Sequence, residues 1–149
     1  MASLDRTYAA HARDRLSCLP ANAAPRWGSM NPAQLFGHLA TTLRYSMGEY
    51  PPLPSRANWR SRWVFRPLIL YGLVAIPRNV RLPRQHGAAS SMPEGSLDAL
   101  CRALDEYLDR REAGALPAVV HPFFGMLSAR AWARFHVRHF EHHLNQFGV

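Results

Sequence analysis

The sequence contains no lysine at all, so all 18 of its basic residues are arginine, and its formal net charge is +8. It has only two cysteines, Cys18 and Cys101. Two are too few for the disulfide framework of a small secreted domain, and neither belongs to a CxxC pair. No apolar run is long enough to span a bilayer. The most apolar stretch, Trp63 to Pro77, is broken by Arg66 and Pro67 and falls short of the roughly 20 residues a spanning helix needs. The N-terminal region carries Asp5 and Asp14 where a signal peptide would be apolar. A soluble, cytoplasmic protein is the expectation.

Alternating apolar and polar residues are missing as well, which excludes half-buried strands and predicts an all-α chain. Also absent are GxSxG, a P-loop and a dinucleotide fingerprint. What remains is one domain over residues 1–149. A chain of that length buries about 70% of its unfolded surface, so it needs no metal merely to hold a core. Any metal should therefore be functional.

The positive charge is uneven. Between Glu49 and Glu94 there are seven arginines (Arg56, Arg60, Arg62, Arg66, Arg78, Arg81 and Arg84) and no acid. Trp59, Trp63, Phe65 and Tyr71 are interleaved with them. Such a segment suits nucleic acid, anionic lipid or an anionic small molecule. A solvated arginine-rich surface is the simpler reading, with the aromatics packed over the core, and nucleic acid is not the expected partner.

Helical spacing predicts a first helix over about Leu4–Cys18, closed by Pro20 and Pro25. The second has the clearest start in the chain. Asn31 suits the N-cap, Pro32 the first helical position and Gln34 the reciprocal place of a capping box, while Met30 can staple onto Leu35. It should run to about Met47. A crossover rich in arginine and proline follows, with room for a short helix within Trp59–Ile76, where Pro67 fits only near a helical start or as a kink. A further helix is expected over about Pro93–Arg111. After a loop through His121-Pro122-Phe123-Phe124-Gly125, Ser128 should cap a last helix ending near Phe147. Four substantial helices with one long crossover between the second and third suit a bundle.

The histidines carry the chemistry. At about 100° per residue, Trp132, His139 and His143 lie within about 20° of one line on the last helix. Phe135, His136, Gln146 and Phe147 flank that line, which marks the buried face. His139 and His143 are four apart, so their Cβ atoms stand roughly 5–6 Å from each other and two imidazoles can chelate one ion. A pair of hydrogen-bonded core histidines is the plainer alternative. A third ligand must come from another helix. His38, one turn after Gln34, is the candidate, on the stripe of Leu35, Thr42 and Tyr45. His136 and His142 lie at the edges of the face, and His121 sits where it could orient a ligand. A zincin would place Glu directly after the first paired histidine, but here Phe140 stands there and Glu141 points to the opposite face. A metalloprotease is disfavoured.

These residues resemble a known group. Trp27-Gly28-Ser29-Met30-Asn31-Pro32-Ala33-Gln34-Leu35 leading to His38 is similar to the first ligand helix of the DinB-like superfamily. His121–Gly125, Leu127-Ser128, Trp132 and the run from His139 to Phe147 resemble the C-terminal signature of one branch, known as a domain of unknown function. The resemblance implies an up-down-down-up four-helix bundle. It also implies a three-histidine site at His38, His139 and His143 holding a divalent metal, usually zinc or nickel. Related members include thiol-dependent transferases, and some form homodimers. A metal-dependent transferase or hydrolase acting on a small molecule, with a low-molecular-weight thiol as partner, is therefore one expectation. A non-catalytic, ligand-holding or stress-associated bundle is the other. Arg44 and the arginines after Pro54 would serve an anionic thiol in the first case.

Overall fold

The computed structural model describes residues 2–78 and 93–149. Arg81, Pro83 and Arg84 of the crossover lie outside the described residues. The described chain is mostly helical, with five helices, a π-helical turn and one two-stranded sheet.

Helix α1 (Arg6–Ser17) starts at Asp5, whose carboxylate accepts the Tyr8 N–H at 2.8 Å. The expected start at Leu4 came one residue before this cap. Helix α2 (Pro32–Ser46) begins with the expected capping box. Asn31 Oδ1 accepts from Gln34 N at 2.8 Å, and Gln34 Oε1 accepts from Asn31 N at 3.1 Å. Two of the four orphan donors of a helix start are thus satisfied reciprocally. Met30 and Leu35 are both buried in the same core cluster.

The crossover does contain a helix. A π-helical turn, Ser61–Phe65, runs into the short α3 (Arg66–Leu70), with Pro67 in the first turn of α3, where its missing N–H is least costly. Only Ile69 and Leu70 of this stretch are buried. Trp59 and Trp63 are 65% and 79% exposed, so they do not pack over the core as the sequence suggested. The stretch rests on the core through α3 alone, and its upstream aromatics face outward.

Helix α4 (Leu97–Glu112) starts four residues later than expected. Ser96, not the Pro93 region, makes the cap, its Oγ accepting from Ala99 N at 3.1 Å. The chain is not all-α. Residues expected to form a loop make an antiparallel hairpin of β1 (Val119–His121) and β2 (Gly125–Leu127), closed by Gly125 at φ +71°. Three-residue strands are too short to display an alternating pattern. Helix α5 (Ala129–Phe147) is capped by Ser128 as expected and ends at Gly148 in the left-handed conformation.

One core cluster joins α1, α2, α4 and α5 through Leu16, Leu35, Leu39, Leu104, Phe140 and Leu144. A second gathers Tyr45, Ile69, Phe124, Leu127, Trp132 and Phe135 between the end of α2, α3, the hairpin and the start of α5. Helix α5 belongs to both. Ion pairs from Arg6 to Asp109 and Glu112, and from Arg13 to Asp105, tie α1 to α4 at the surface, where each is worth at most about 1 kcal/mol.

One contact fixes the backbone beside His38. A Cβ at Gly37 would sit 2.2 Å from the Pro93 carbonyl oxygen, and Gly95 N donates to Ala33 O at 2.9 Å. The obstructing atoms are backbone and cannot swing away. Gly37→Ala should therefore destabilise the protein by about 1–3 kcal/mol, despite alanine's better helix propensity. Urea unfolding of the two proteins checks this, and an equal or higher midpoint for the variant would contradict it.

Candidate metal centre

His38 from α2 meets His139 and His143 from α5. His139 Nε2 lies 2.9 Å from His38 Nε2 and 3.1 Å from His143 Nε2. The three ligand atoms all fall within 4.8 Å of one another, which makes this a group that could hold a metal ion. Two nitrogens at ~2.0–2.1 Å from a tetrahedral zinc stand about 3.3 Å apart, so the spacing is near that of a coordination sphere. His139 and His143 are buried, while His38 keeps partial solvent contact.

Hydrogen bonding fixes one tautomer. Gln146 Nε2 donates to the Trp27 carbonyl at 2.8 Å, which turns Gln146 Oε1 toward His143 Nδ1 at 2.7 Å. Oε1 can only accept, so His143 carries its proton on Nδ1 and leaves Nε2 bare. His139 stacks on Phe135, with ring centroids 5.3 Å apart, and its buried Nδ1 has no partner among the described residues. With His143 Nε2 bare, His139 Nε2 can offer its one proton to only one of its two neighbours. At least one of the two N···N contacts therefore has no proton to bridge it, in a place largely shielded from water. That arrangement is costly unless a cation draws them together. The donor set fits a divalent ion of the zinc or nickel type, for which imidazole is a suitable ligand.

The electrostatics agree with this reading. Burial, helped by the neighbouring His142, lowers His38 to about 4. Burial and the neighbouring His38 lower His143 to about 3, with Gln146 opposing. Burial and then His143 and His38 push His139 well below its ordinary range. All three are neutral at pH 7, the form that binds metal, so no proton competes there.

The other candidate histidines do not join the group among the described residues. His121 ends β1 and is buried, its Nδ1 accepting the backbone N–H groups of Phe123 and Phe124 at 3.2 and 3.3 Å. It holds the hairpin turn. Ser46 Oγ donates its proton to Leu43 O at 2.7 Å, so it accepts from His136 Nε2 at 2.8 Å. His142 packs edge-on against Trp27 and His143, with centroids at 5.7 and 5.1 Å. His11 is exposed on α1. Glu141 accepts from Tyr8 Oη at 2.8 Å and pairs with Arg15 at 3.0 Å, which engages it away from the cluster. Arg44 lies near Glu49 and also away from it. Sequence reasoning placed Gln146 beside the buried line but gave it no role. Its spacing of three from His143 was the available signal; the Trp27 carbonyl was not readable at all.

His121 and His136 make stability pH-dependent. Burial lowers His121 to about 3, and burial with His121 nearby lowers His136 to about 3. In the unfolded chain a histidine titrates near about 6.5. Below that pH the unfolded chain takes up protons that the fold refuses, so the stabilisation is complete above about 6.5 and is lost as pH falls toward 3. Each such histidine adds a slope of up to about 1.4 kcal/mol per pH unit. Urea midpoints of metal-free protein should change little from pH 7.5 to about 6.5 and fall from there to pH 5; a flat profile would contradict the burial of neutral rings.

Among comparisons with known proteins, one family model matches residues 1–148 and is described as a protein of unknown function (DUF1569). No curated protein and no solved structure matches.

Proposed function

Since the chain belongs to this family, whose description assigns no activity, we propose from the geometry that it is a metal-binding protein. Its divalent ion, zinc or nickel, is held by His38, His139 and His143. The observation that carries the reading is the convergence of three Nε2 atoms from two helices, that of His139 lying 2.9 Å from His38 and 3.1 Å from His143, with one tautomer fixed by Gln146. In this reading residues 1–149 form a single domain whose helices α1, α2, α4 and α5 are a four-helix bundle of the DinB-like type. The packing of these four in one core cluster supports it.

Three protein ligands leave a tetrahedral ion one open position, the arrangement of catalytic rather than structural sites. A divalent ion bound there supplies Lewis acidity, lowering the pKa of a water or a low-molecular-weight thiol that reaches it. The activity would then be a thiol transfer or a hydrolysis on a small molecule in the cytoplasm. His38 and His139 hold the ion, and His143 does so in an orientation set by Gln146. The partial exposure of His38 gives the side from which a reactant approaches.

Elemental analysis of protein purified without an affinity tag should find about one ion per chain, and much less in His38→Ala. Turnover with low-molecular-weight thiols or hydrolysable esters should disappear in the same variant. Full turnover by metal-stripped protein would exclude a metal-dependent reaction. A second reading, a non-catalytic ligand-holding protein, is favoured by one observation: Glu141, the acid within this histidine run, is tied to Arg15 and Tyr8. Stoichiometric metal without turnover on any such substrate would select it.

The hydrogen bond from His143 to Gln146 gives a sharper check. In Gln146→Leu the ring loses the acceptor that fixes its tautomer, and metal affinity should fall about 10–100-fold. Chelator competition measures this. Gln146→Glu, which keeps an acceptor, should retain most of the affinity, and equal losses in both variants would remove Gln146 from the account.

A further inference from the structure

A cleft of about 600 Å³ lies between the Arg26–Trp27 loop, the Gly72–Arg78 segment and the outer face of α5. That size is within the roughly 300–1,000 Å³ of small-molecule sites. Three arginines line it: Arg26, Arg78 and Arg138. None of the three has a carboxylate partner among the described residues. The undescribed residues 79–92 contain no Asp or Glu, so none can come from there. The one acid in the cleft wall, Glu141, already accepts from Arg15 and Tyr8.

Local structure holds these guanidinium groups in place. Arg78 lies over the Trp27 ring, 4.2 Å from its centroid. Arg138 and Arg26 each rest on a glycine of positive φ. A Cβ at Gly72 would stand 2.1 Å from Arg138 Nη2, and one at Gly148 would stand 2.4 Å from Arg26 Nη2. Concave placement of three like charges, beside a single carboxylate that is already paired with Arg15, raises the local potential and favours an anion. Guanidinium groups suit the oxygens of a carboxylate or phosphate.

We infer that this cleft binds the oxyanion group, carboxylate or phosphate, of a small molecule. Its wall adjoins the histidine cluster at two points. The Trp27 carbonyl accepts from Gln146, which holds His143, and His142 packs its ring on that of His143. The binding of the anion does not rest on the metal-site reading.

Isothermal titration of the full chain with inorganic phosphate and, separately, with succinate tests the inference and distinguishes the two sources of the oxyanion. Saturable one-site binding of at least one of them is expected, with Kd below about 1 mM in moderate salt. Arg138→Gln and Arg26→Gln should each weaken it at least about tenfold. Arg102→Gln, on the exposed face of α4, should leave it unchanged. Circular dichroism of each variant guards against misfolding, and the two independent cleft variants guard against loss of either one. Failure of both anions to saturate, or equal weakening by Arg102→Gln, would overturn the inference. Metal content measured on the same samples separates the two claims. Anion binding without metal would sink the metal reading alone, and metal without anion binding would sink the cleft alone.

Discussion

Replacing His139 by alanine should strip the protein of its metal. His139 Nε2 is the atom nearest to both other ligands, at 2.9 Å from His38 and 3.1 Å from His143. Removing a group that merely orients a metal ligand costs about 10–100-fold in affinity, so removing this ligand should cost more than about a hundredfold. What remains, His38 on one helix and His143 on another, is a two-nitrogen site with no helical chelate pair. The fold itself should tolerate the change. The lost ring contact with Phe135 is offset by removal of a buried Nδ1 that has no partner. Metal-free wild type and metal-free variant should thus unfold at similar denaturant concentrations, whereas only wild type gains stability when zinc is added. At a thousandfold excess over Kd that gain is about 4 kcal/mol. Chelator competition and thermal unfolding with and without zinc measure both halves. Unchanged affinity would contradict the assignment, and collapse of the metal-free variant would show His139 to be structural.

The largest loss of stability should come from Trp132→Ala, at about 3–5 kcal/mol. Trp132 is among the largest fully buried side chains. Its ring stands within 6.0 Å, centroid to centroid, of Tyr45, His121, Phe135 and His136. Its indole N–H donates to the Val119 carbonyl at 3.0 Å and so fastens the hairpin to α5. Alanine removes both the packing and the bond. Trp132→Phe keeps much of the packing but leaves the Val119 carbonyl without its donor, and should cost less, about 1–3 kcal/mol. Urea unfolding ranks the three proteins. A loss under about 1 kcal/mol for the alanine variant would mean that the second cluster collapses around the void, and that the hairpin does not depend on this anchor.

How far the sequence could be read follows from where each signal resides. The start of α2 was legible because Asn31, Pro32 and Gln34 act within one turn, and local hydrogen bonds need no tertiary partner. The start of α4 was misplaced because Pro93 is a common opening residue. Ser96, followed three residues later by Ala99, lacks the acid or amide of a full capping box. The hairpin was missed because strands of three residues show no period. His139 and His143 were readable as a pair through helical spacing, and His38 through the resemblance and its stripe on α2. Their approach to within hydrogen-bonding distance is a product of packing between α2 and α5. The arginine cleft lay beyond sequence reasoning altogether. Its three charges come from positions 26, 78 and 138, and two of them depend on glycines at 72 and 148 having no side chain. The exposed Trp59 and Trp63 have the opposite cause. Composition suggests burial for such rings, but between Trp59 and Leu70 only Ile69 and Leu70 are buried.

The central claim is that one cation sits among three imidazoles supplied by α2 and α5. Diffraction from crystals of zinc-loaded protein, recorded at wavelengths on either side of the zinc absorption edge, addresses it directly. The account predicts a single strong anomalous peak about 2.0–2.1 Å from the Nε2 atoms of His38, His139 and His143 alike. A peak bound elsewhere would contradict it, as would a zinc-soaked crystal in which those three rings hydrogen-bond to one another with no ion between them.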